Sequence, residues 1–292
     1  MKAAALKADA VLLFITGIWG MTFVVVKDAL ALADPYSFLA LRFTVGTAAV
    51  ALFSFSGLRD TRVWKRGALL GVLLFIGYAF QTVGLKYSTP SRSAFITGLI
   101  VIFIPFVSWG LYRRRPAGAA LLGALIAVVG LVLLTNLQVE GSLPWADVLS
   151  LGCAVAYAVQ IALTERLSRD VHPLALVTVE LGVTAVLAWC ARLVTDSSVK
   201  WSPQLWTGVL LTGVIASAFA IGAQTWAQAR TSAVHAGLIF TLEPVFAAAF
   251  STALGREVLT SREWLGGALI LAGVVVAELV PLFGKRADIA EQ

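Results

Sequence analysis

Apolar runs of about twenty residues recur along the whole chain, each closed by a proline, a glycine or a cluster of charge. Their pattern predicts helices at 10–27, 36–56, 67–85, 93–112, 118–135, 145–164, 174–194, 205–227, 233–254 and 263–282. A helix needs roughly 20 apolar residues to cross the hydrocarbon core of a bilayer, so each run reads as one crossing. The breaks between runs have physical causes. Asp34-Pro35 and His172-Pro173 put proline at a helix start, where its missing N–H costs nothing. Arg113-Arg114-Arg115-Pro116 stops the fourth run. No gap exceeds about a dozen residues, which leaves no room for a soluble domain between runs.

Composition sharpens this reading. Of 292 residues, 59% are hydrophobic and 13% charged, whereas soluble domains sit near 45–50% apolar and about 25% charged. The expected partner is therefore a lipid bilayer. The net charge of +6 would suggest nucleic acid on a soluble protein, but here the basic residues fall between apolar runs and read as topology signals, so no nucleic-acid partner is expected. With the N-terminus cytoplasmic, 14 Lys and Arg fall on the cytoplasmic side and 7 on the other, with Arg42 inside a run. The bias is 9 against 3 in the first half and 5 against 4 in the second. The expectation is a multi-pass protein of the plasma membrane (a bacterial inner membrane) with both termini cytoplasmic. Lys2 and Lys7 before the run from Ala10 look like a signal peptide, but no small-x-small site follows, so the run reads as an uncleaved first helix. Trp64, Trp145, Trp201, Trp206 and Trp264 sit at run edges, as in an aromatic belt. Cys153 and Cys190 fall inside runs and give neither metal spacing nor a disulfide framework, so they read as small buried hydrophobes. No metal site and no cofactor is expected.

The chain also repeats itself. A shift of about 139 residues sets Ala8-Asp9 and Trp19 on Ala146-Asp147 and Tyr157, Pro35 on Pro173, and Ala79-Phe80 on Ala218-Phe219. It sets Ser93-Ala94, Gly98-Leu99-Ile100 and Pro105 on Ser232-Ala233, Gly237-Leu238-Ile239 and Pro244. Leu122-Gly123 and Gly130 match Leu265-Gly266 and Gly273 after a four-residue insertion. Five runs per half is an odd number, so the second half enters the membrane from the opposite side. Such inverted repeats typify secondary transporters, with the site near the midplane between them. The predicted fold class is an all-α integral membrane protein of ten transmembrane helices, two inverted five-helix repeats (1–137 and 143–285) around a central cavity.

The Ser-Ala-x-x-x-Gly-Leu pattern leading to Pro in runs four and nine, the two five-helix halves, and the Gly-x6-Gly of runs five and ten together resemble the EamA family of the drug/metabolite transporter superfamily. The resemblance covers nearly the whole chain. It implies ten helices, cytoplasmic termini and a cavity lined by runs 1–4 and 6–9, with 5 and 10 peripheral. It also implies movement of amino acids and related metabolites without ATP, with export the expected direction. Members differ widely in cargo.

Charged groups inside a membrane span are functional candidates by default. Glu243 lies near the middle of run nine, directly before Pro244, and its repeat mate is Ile104. Pro244 has no N–H to give, so a freed carbonyl and a carboxyl at mid-depth suit a cationic or amino group. Glu243 is equally a candidate proton carrier, and a protonated Glu bonded to a neighbouring helix is the bland alternative. Arg42 and Glu180 occupy matching repeat positions. Inversion puts them in opposite leaflets, so an ion pair is not expected; Arg42 is a candidate for a substrate carboxylate, and snorkelling or a local partner is the alternative. Trp19, Tyr78 and Tyr157 fall near mid-depth and suit an organic solute or cation, against ordinary helix packing. Gln81, Gln160, Gln224 and His235 fall nearer the ends and read as interhelical hydrogen bonds or wet loop edges. Glu278 falls near the cytoplasmic end of run ten. Pro105 and Pro244 are candidate hinges for runs four and nine. Gly123, Gly130, Gly266 and Gly273 allow close helix approach, within one subunit or between two, so monomer and homodimer both stand.

The leading reading is a secondary transporter of small polar metabolites such as amino acids, working by alternating access and coupled, if at all, to protons through Glu243. No paired-carboxylate sodium site is evident. A facilitative channel-like permease or a non-transport membrane protein is the alternative, although no filter sequence stands out. An enzyme is not expected: G-x-S-x-G, H-E-x-x-H and Cys-rich metal sets are absent, and only His172 and His235 are present. An ATP-driven pump lacks a P-loop pattern.

Overall fold

The computed structural model describes residues 2–113, 118–135, 144–195, 198–231 and 233–290. Arg114, Arg115, Pro116, Ser232 and the junction between the two expected halves lie outside the described residues, as do the side chains of His235 and Glu278.

Among the described residues the chain is all-helical, with one isolated bridge between Ala33 and Val199. The helices are α1 (Lys2–Ala29), α2 (Pro35–Ala51), α3 (Thr61–Lys86), α4 (Pro90–Thr97), α5 (Ile100–Tyr112), α6 (Gly118–Thr135), α7 (Trp145–Leu167) and α8 (Pro173–Leu193). They continue as α9 (Pro203–Leu210), a π-helical segment (Leu211–Phe219), α10 (Ala220–Gln228), α11 (Ala233–Phe240), α12 (Glu243–Ala253) and α13 (Ser261–Ala290). Six stretches are long and apolar enough to cross a membrane: Lys7–Ala29, Thr61–Lys86, Pro90–Leu111, Trp145–Leu167, Pro173–Leu193 and Pro203–Gln228. The molecule is an integral membrane protein.

The local signals act where the sequence puts them. Asp34 caps α2, its carboxylate accepting from the N–H groups of Tyr36 and Ser37, with Pro35 opening the helix. His172 caps α8 in the same way by accepting from Ala175 N–H, again with a proline first.

The expected hinges behave differently from each other. Run nine breaks at Thr241-Leu242, directly before Glu243 and Pro244, so Pro244 sits in the first turn of α12. Run four breaks at Gly98-Leu99 instead, and Pro105 lies inside α5. Proline is tolerated in a first turn, where its missing N–H has no partner to lose. The Gly98-Leu99 break is kept by short bonds, Leu99 N–H to Ile96 at 3.1 Å and Ile102 N–H to Leu99 at 2.9 Å. A methyl on Gly98 would lie 2.8 Å from Pro244 Cγ. At the break, Gly98 leaves room that a side chain would take from Pro244 of the other half.

Helix packing repeats itself across the chain. α6 lies along α13 and α2 along α8. α3 packs on α7 and α8, and the π segment with α9 and α10 packs on α1 and α2. α1 packs on α11 and α12, and α7 packs on α4 and α5. Glycine makes the closest of these approaches. A methyl on Gly130 would meet the Gly266 carbonyl oxygen at 2.6 Å, and one on Gly273 would meet that of Gly123 at 2.5 Å. This reciprocal seam holds α6 to α13 within one subunit.

Polar ties sort the helix ends into two groups. At one end, Arg192 bonds Ser37, Arg256 pairs with Asp28, Glu257 accepts from Ser91 N–H, and Lys27 donates to the Leu85, Lys86 and Ser88 carbonyls. Arg92 bonds Asp147 there too, at 2.9 Å. At the other end, Arg62 and Arg66 pair with Asp170, Ser54 bonds Thr178, and Glu165 accepts from Ala233 N–H. These are the groups that consecutive crossings produce.

The Gly130→Leu substitution is expected to destabilise the detergent-solubilised protein by about 1–3 kcal/mol through overpacking. Thermal unfolding measures it, and an unchanged midpoint would mean that α6 and α13 separate without cost.

Candidate functional site

One cavity of about 690 Å³, its open mouth included, lies among α1, α2, α3, α5, α7, α10, α11 and α12. Trp19, Arg42, Tyr78, Tyr157 and Glu243 all line it. The structure thus brings together five residues that the sequence scatters over five helices. Span two contributes through Arg42, while α8 supplies no lining residue, contrary to the expectation for run seven.

Arg42 is held on α2 at 2% exposure. Its Nε donates to Ser217 Oγ at 2.9 Å and its Nη2 to Tyr78 Oη at 3.1 Å. Its guanidinium carbon stands 4.5 Å from the Tyr78 ring centre and 5.3 Å from that of Phe43, an arrangement worth about 2 kcal/mol when desolvated. No described carboxylate pairs with it. Glu180 is elsewhere, bonded to Gln160, so the absent Arg42–Glu180 pair is as the inversion argument requires. A guanidinium has five N–H donors, and the protein engages Nε and Nη2 here. Its Nη1 makes no hydrogen bond to another described residue.

Glu243 lies across the helix break from Phe240, half-buried. Its carboxyl makes no hydrogen bond or ion pair with another described residue. The cavity therefore holds one cation and one carboxyl, neither neutralised by the other or by a neighbour.

Aromatic rings form much of the wall. Trp19 stands edge-on to Phe240 at 5.4 Å, and Tyr78 to Tyr157 at 5.4 Å. Trp19 Nε1 donates to the Ala216 carbonyl in the π segment at 2.9 Å. The same segment supplies Ser217 to Arg42, in keeping with the frequency of π segments at functional sites. Its Gly213 allows α2 this near: a methyl there would lie 2.7 Å from the Arg42 carbonyl. Gly77 does the same for Tyr157, whose ring would lie 2.2 Å from an added methyl.

Gln81 and Gln160 bond across helices as expected, to Tyr157 and Glu180, and with Gln224 they also line the cavity, because the cavity runs well beyond mid-depth, up to Val26 and Leu85 near the ends of α1 and α3. Thr22, Thr82 and Ser217 were not singled out at all. The repeat carries a signal that finds several of them. Trp19 and Tyr157, Thr22 and Gln160, Phe23 and Ile161, Thr82 and Ile221, and Leu85 and Gln224 all line the cavity, and each pair is separated by 138 or 139 residues. Arg42 bonds Tyr78 and Ser217, another pair at the same spacing.

Known proteins resemble this chain over most of its length. The sequence profile of the EamA-like transporter family matches residues 6–136 and 144–279. An uncharacterized transporter of Archaeoglobus fulgidus is 32% identical over 94% of this chain and 86% of its own. The uncharacterized inner membrane transporter YedA of Escherichia coli K12 is 26% identical over 90% of this chain and 87% of its own. A solved crystal structure, 23% identical, superposes with a TM-score of 0.72 over 96% of this chain and 98% of that one, a likeness of fold.

The Ser217→Ala substitution removes a charge-assisted bond from Arg42 and is expected to lower stability by about 1.5–3 kcal/mol. Thermal unfolding with a conservative Ser217→Thr control checks it, and an unmoved midpoint would mean that Tyr78 alone holds the guanidinium.

Proposed function

This chain belongs to the EamA-like transporter family, and from that premise we propose that it is a secondary active exporter of small zwitterionic metabolites, amino acids and related compounds, working by alternating access. The observation that carries the proposal is the pair of unneutralised groups in one cavity. Arg42 has donors to spare and no acid beside it. A solute carboxylate satisfies both, and the guanidinium matches a carboxylate bidentately. Glu243 offers the complementary acceptor for an ammonium group. Trp19, Tyr78, Tyr157 and Phe240 give the apolar part of the solute a wall.

The membrane architecture in this reading is ten crossings in two inverted halves. Besides the six long spans, α2, α6, α11 with α12, and α13 supply the other four. The paired packing of α6 on α13 and α2 on α8 supports it, as does the sorting of polar ties into two groups. Both termini then lie on one side, the cytoplasmic side by the Lys and Arg count. Proton coupling runs through Glu243, because a carboxyl without a protein partner is free to exchange its proton for a solute cation. The protein works without a resident metal or cofactor and performs no chemical conversion, as a monomer or homodimer.

Purified protein in liposomes is expected to show saturable counterflow with at least one of L-leucine, L-phenylalanine, L-glutamate, putrescine and uridine, and the amino acids are expected to raise its thermal midpoint. Stabilisation by putrescine or uridine alone would overturn the zwitterion assignment. The Arg42→Gln variant is expected to lose about tenfold or more in apparent affinity, the worth of one charged hydrogen bond.

The Glu243→Gln substitution is expected to abolish proton-driven accumulation while leaving the protein folded and counterflow measurable at a raised KM. A variant that still accumulates solute against a gradient would end the coupling assignment. Tags at the two ends are expected on the same face, and opposite faces would refute the paired odd-numbered halves.

A further inference from the structure

Behind the cavity wall sits a second buried carboxylate that the transport reading leaves without a task. Glu180 of α8 has no exposed surface. It is wedged where α8 meets α3: a methyl on Gly71 would lie 2.6 Å from the Glu180 carbonyl oxygen, and Thr184, one turn on, donates to the Gly71 carbonyl at 3.0 Å. Glu180 Oε1 accepts from Gln160 Nε2 at 2.7 Å, and Oε2 has no partner among the described residues. Gln160, on α7, lines the cavity.

The two ends of a Gln amide are chemically opposite, since Nε2 only donates and Oε1 only accepts. A Gln on a cavity wall with no second contact can turn over and show either end. Glu180 removes that freedom: its Oε1 accepts from the Nε2 end at 2.7 Å and turns that end away from the cavity. Gln160 Oε1 makes no hydrogen bond to another described residue, so it is the end left for the cavity.

We propose that Glu180 is a positioning residue for solute selection: it holds the Gln160 amide with its carbonyl oxygen toward the cavity, so that Gln160 accepts from the ammonium group of the solute. This rests on the transport reading above. It adds a neutral acceptor that does not depend on the charge of Glu243, and it gives α8 a share in the site without a residue on its wall.

The test uses full-length protein in liposomes with two probes that differ only in the ammonium group, L-leucine and 4-methylpentanoate. The Glu180→Gln variant presents both a donor and an acceptor, so it frees the Gln160 amide to turn. It is expected to raise KM for L-leucine about tenfold, with kcat held within about twofold and KM for 4-methylpentanoate unmoved. The Glu180→Asp variant keeps a carboxyl and is expected to recover part of the loss. Gln160→Leu is expected to match the Glu180→Gln defect, and the double variant to be no worse than Gln160→Leu alone. Equal losses for both probes, or losses that add, would show that Glu180 merely supports packing and would overturn the proposal. A second arm needs no solute. The side-chain amide resonances of Gln160, assigned by their loss in Gln160→Leu, are expected to show one fixed, hydrogen-bonded NH2 in the wild type and averaged signals in Glu180→Gln. If the wild type moves neither probe, the choice of zwitterion fails while this spectrum still decides the orientation. Identical spectra in the two proteins would overturn it.

Discussion

Hydrocarbon offers a backbone nothing to bond with, and that single constraint explains where this protein departs from regular helix. Non-helical backbone at membrane depth survives only when it is buried in protein or lines a cavity. The departures here obey it. The Gly98-Leu99 break leads into Ile100, the Thr241-Leu242 break separates Phe240 from Glu243, and the π segment faces Trp19 and Arg42. Ile100, Phe240, Glu243, Trp19 and Arg42 all line the one cavity. The breaks also keep their backbone groups occupied by short bonds, such as Leu242 N–H to Ile239 at 3.2 Å. Irregular structure and binding space are thus the same feature seen from two sides.

The same low-dielectric surroundings set the behaviour of the charges. At the helix ends, opposite charges meet directly, as in Arg92 with Asp147 and Arg256 with Asp28. Inside, the arrangement is different. Arg42 is held by a hydroxyl, a phenol and an aromatic face, all neutral groups. A direct ion pair there would neutralise the cation, whereas neutral holders orient it and leave its charge uncompensated by the protein. Breaking a buried ion pair costs several kcal/mol, about 3–5, a cost that the neutral holders avoid in the proposed binding and release.

The duplication supplies the frame, and its departures supply the chemistry. Cavity residues come in pairs across the repeat, such as Thr22 with Gln160 and Leu85 with Gln224. Yet two of the five lining pairs change polarity, Thr82 with Ile221 and Leu85 with Gln224, Glu243 answers to Ile104, and Arg42 answers to Glu180. A symmetric pocket would treat both ends of a solute alike. These substitutions put one cation and one carboxyl on the wall of the cavity, the asymmetry on which the proposed zwitterion reading rests.

Hydropathy alone determined that this chain lives in a bilayer, because its apolar fraction leaves no aqueous alternative, and fixed helix positions through run length and prolines such as Pro35 and Pro173. It also determined the depth of Trp19, Arg42, Tyr78, Tyr157 and Glu243, since a helix rises by a fixed amount per residue. Depth is not direction. Which face of each helix turns inward depends on partners more than a hundred residues away, such as Ser217 for Arg42 and Ala216 for Trp19. That is why Gln160 and Gln224 read as ordinary links in the sequence and stand on the cavity wall in the structure. Run four likewise breaks at Gly98 and not at Pro105, where the missing side chain leaves room for Pro244 of the other half, a neighbour that only tertiary packing supplies.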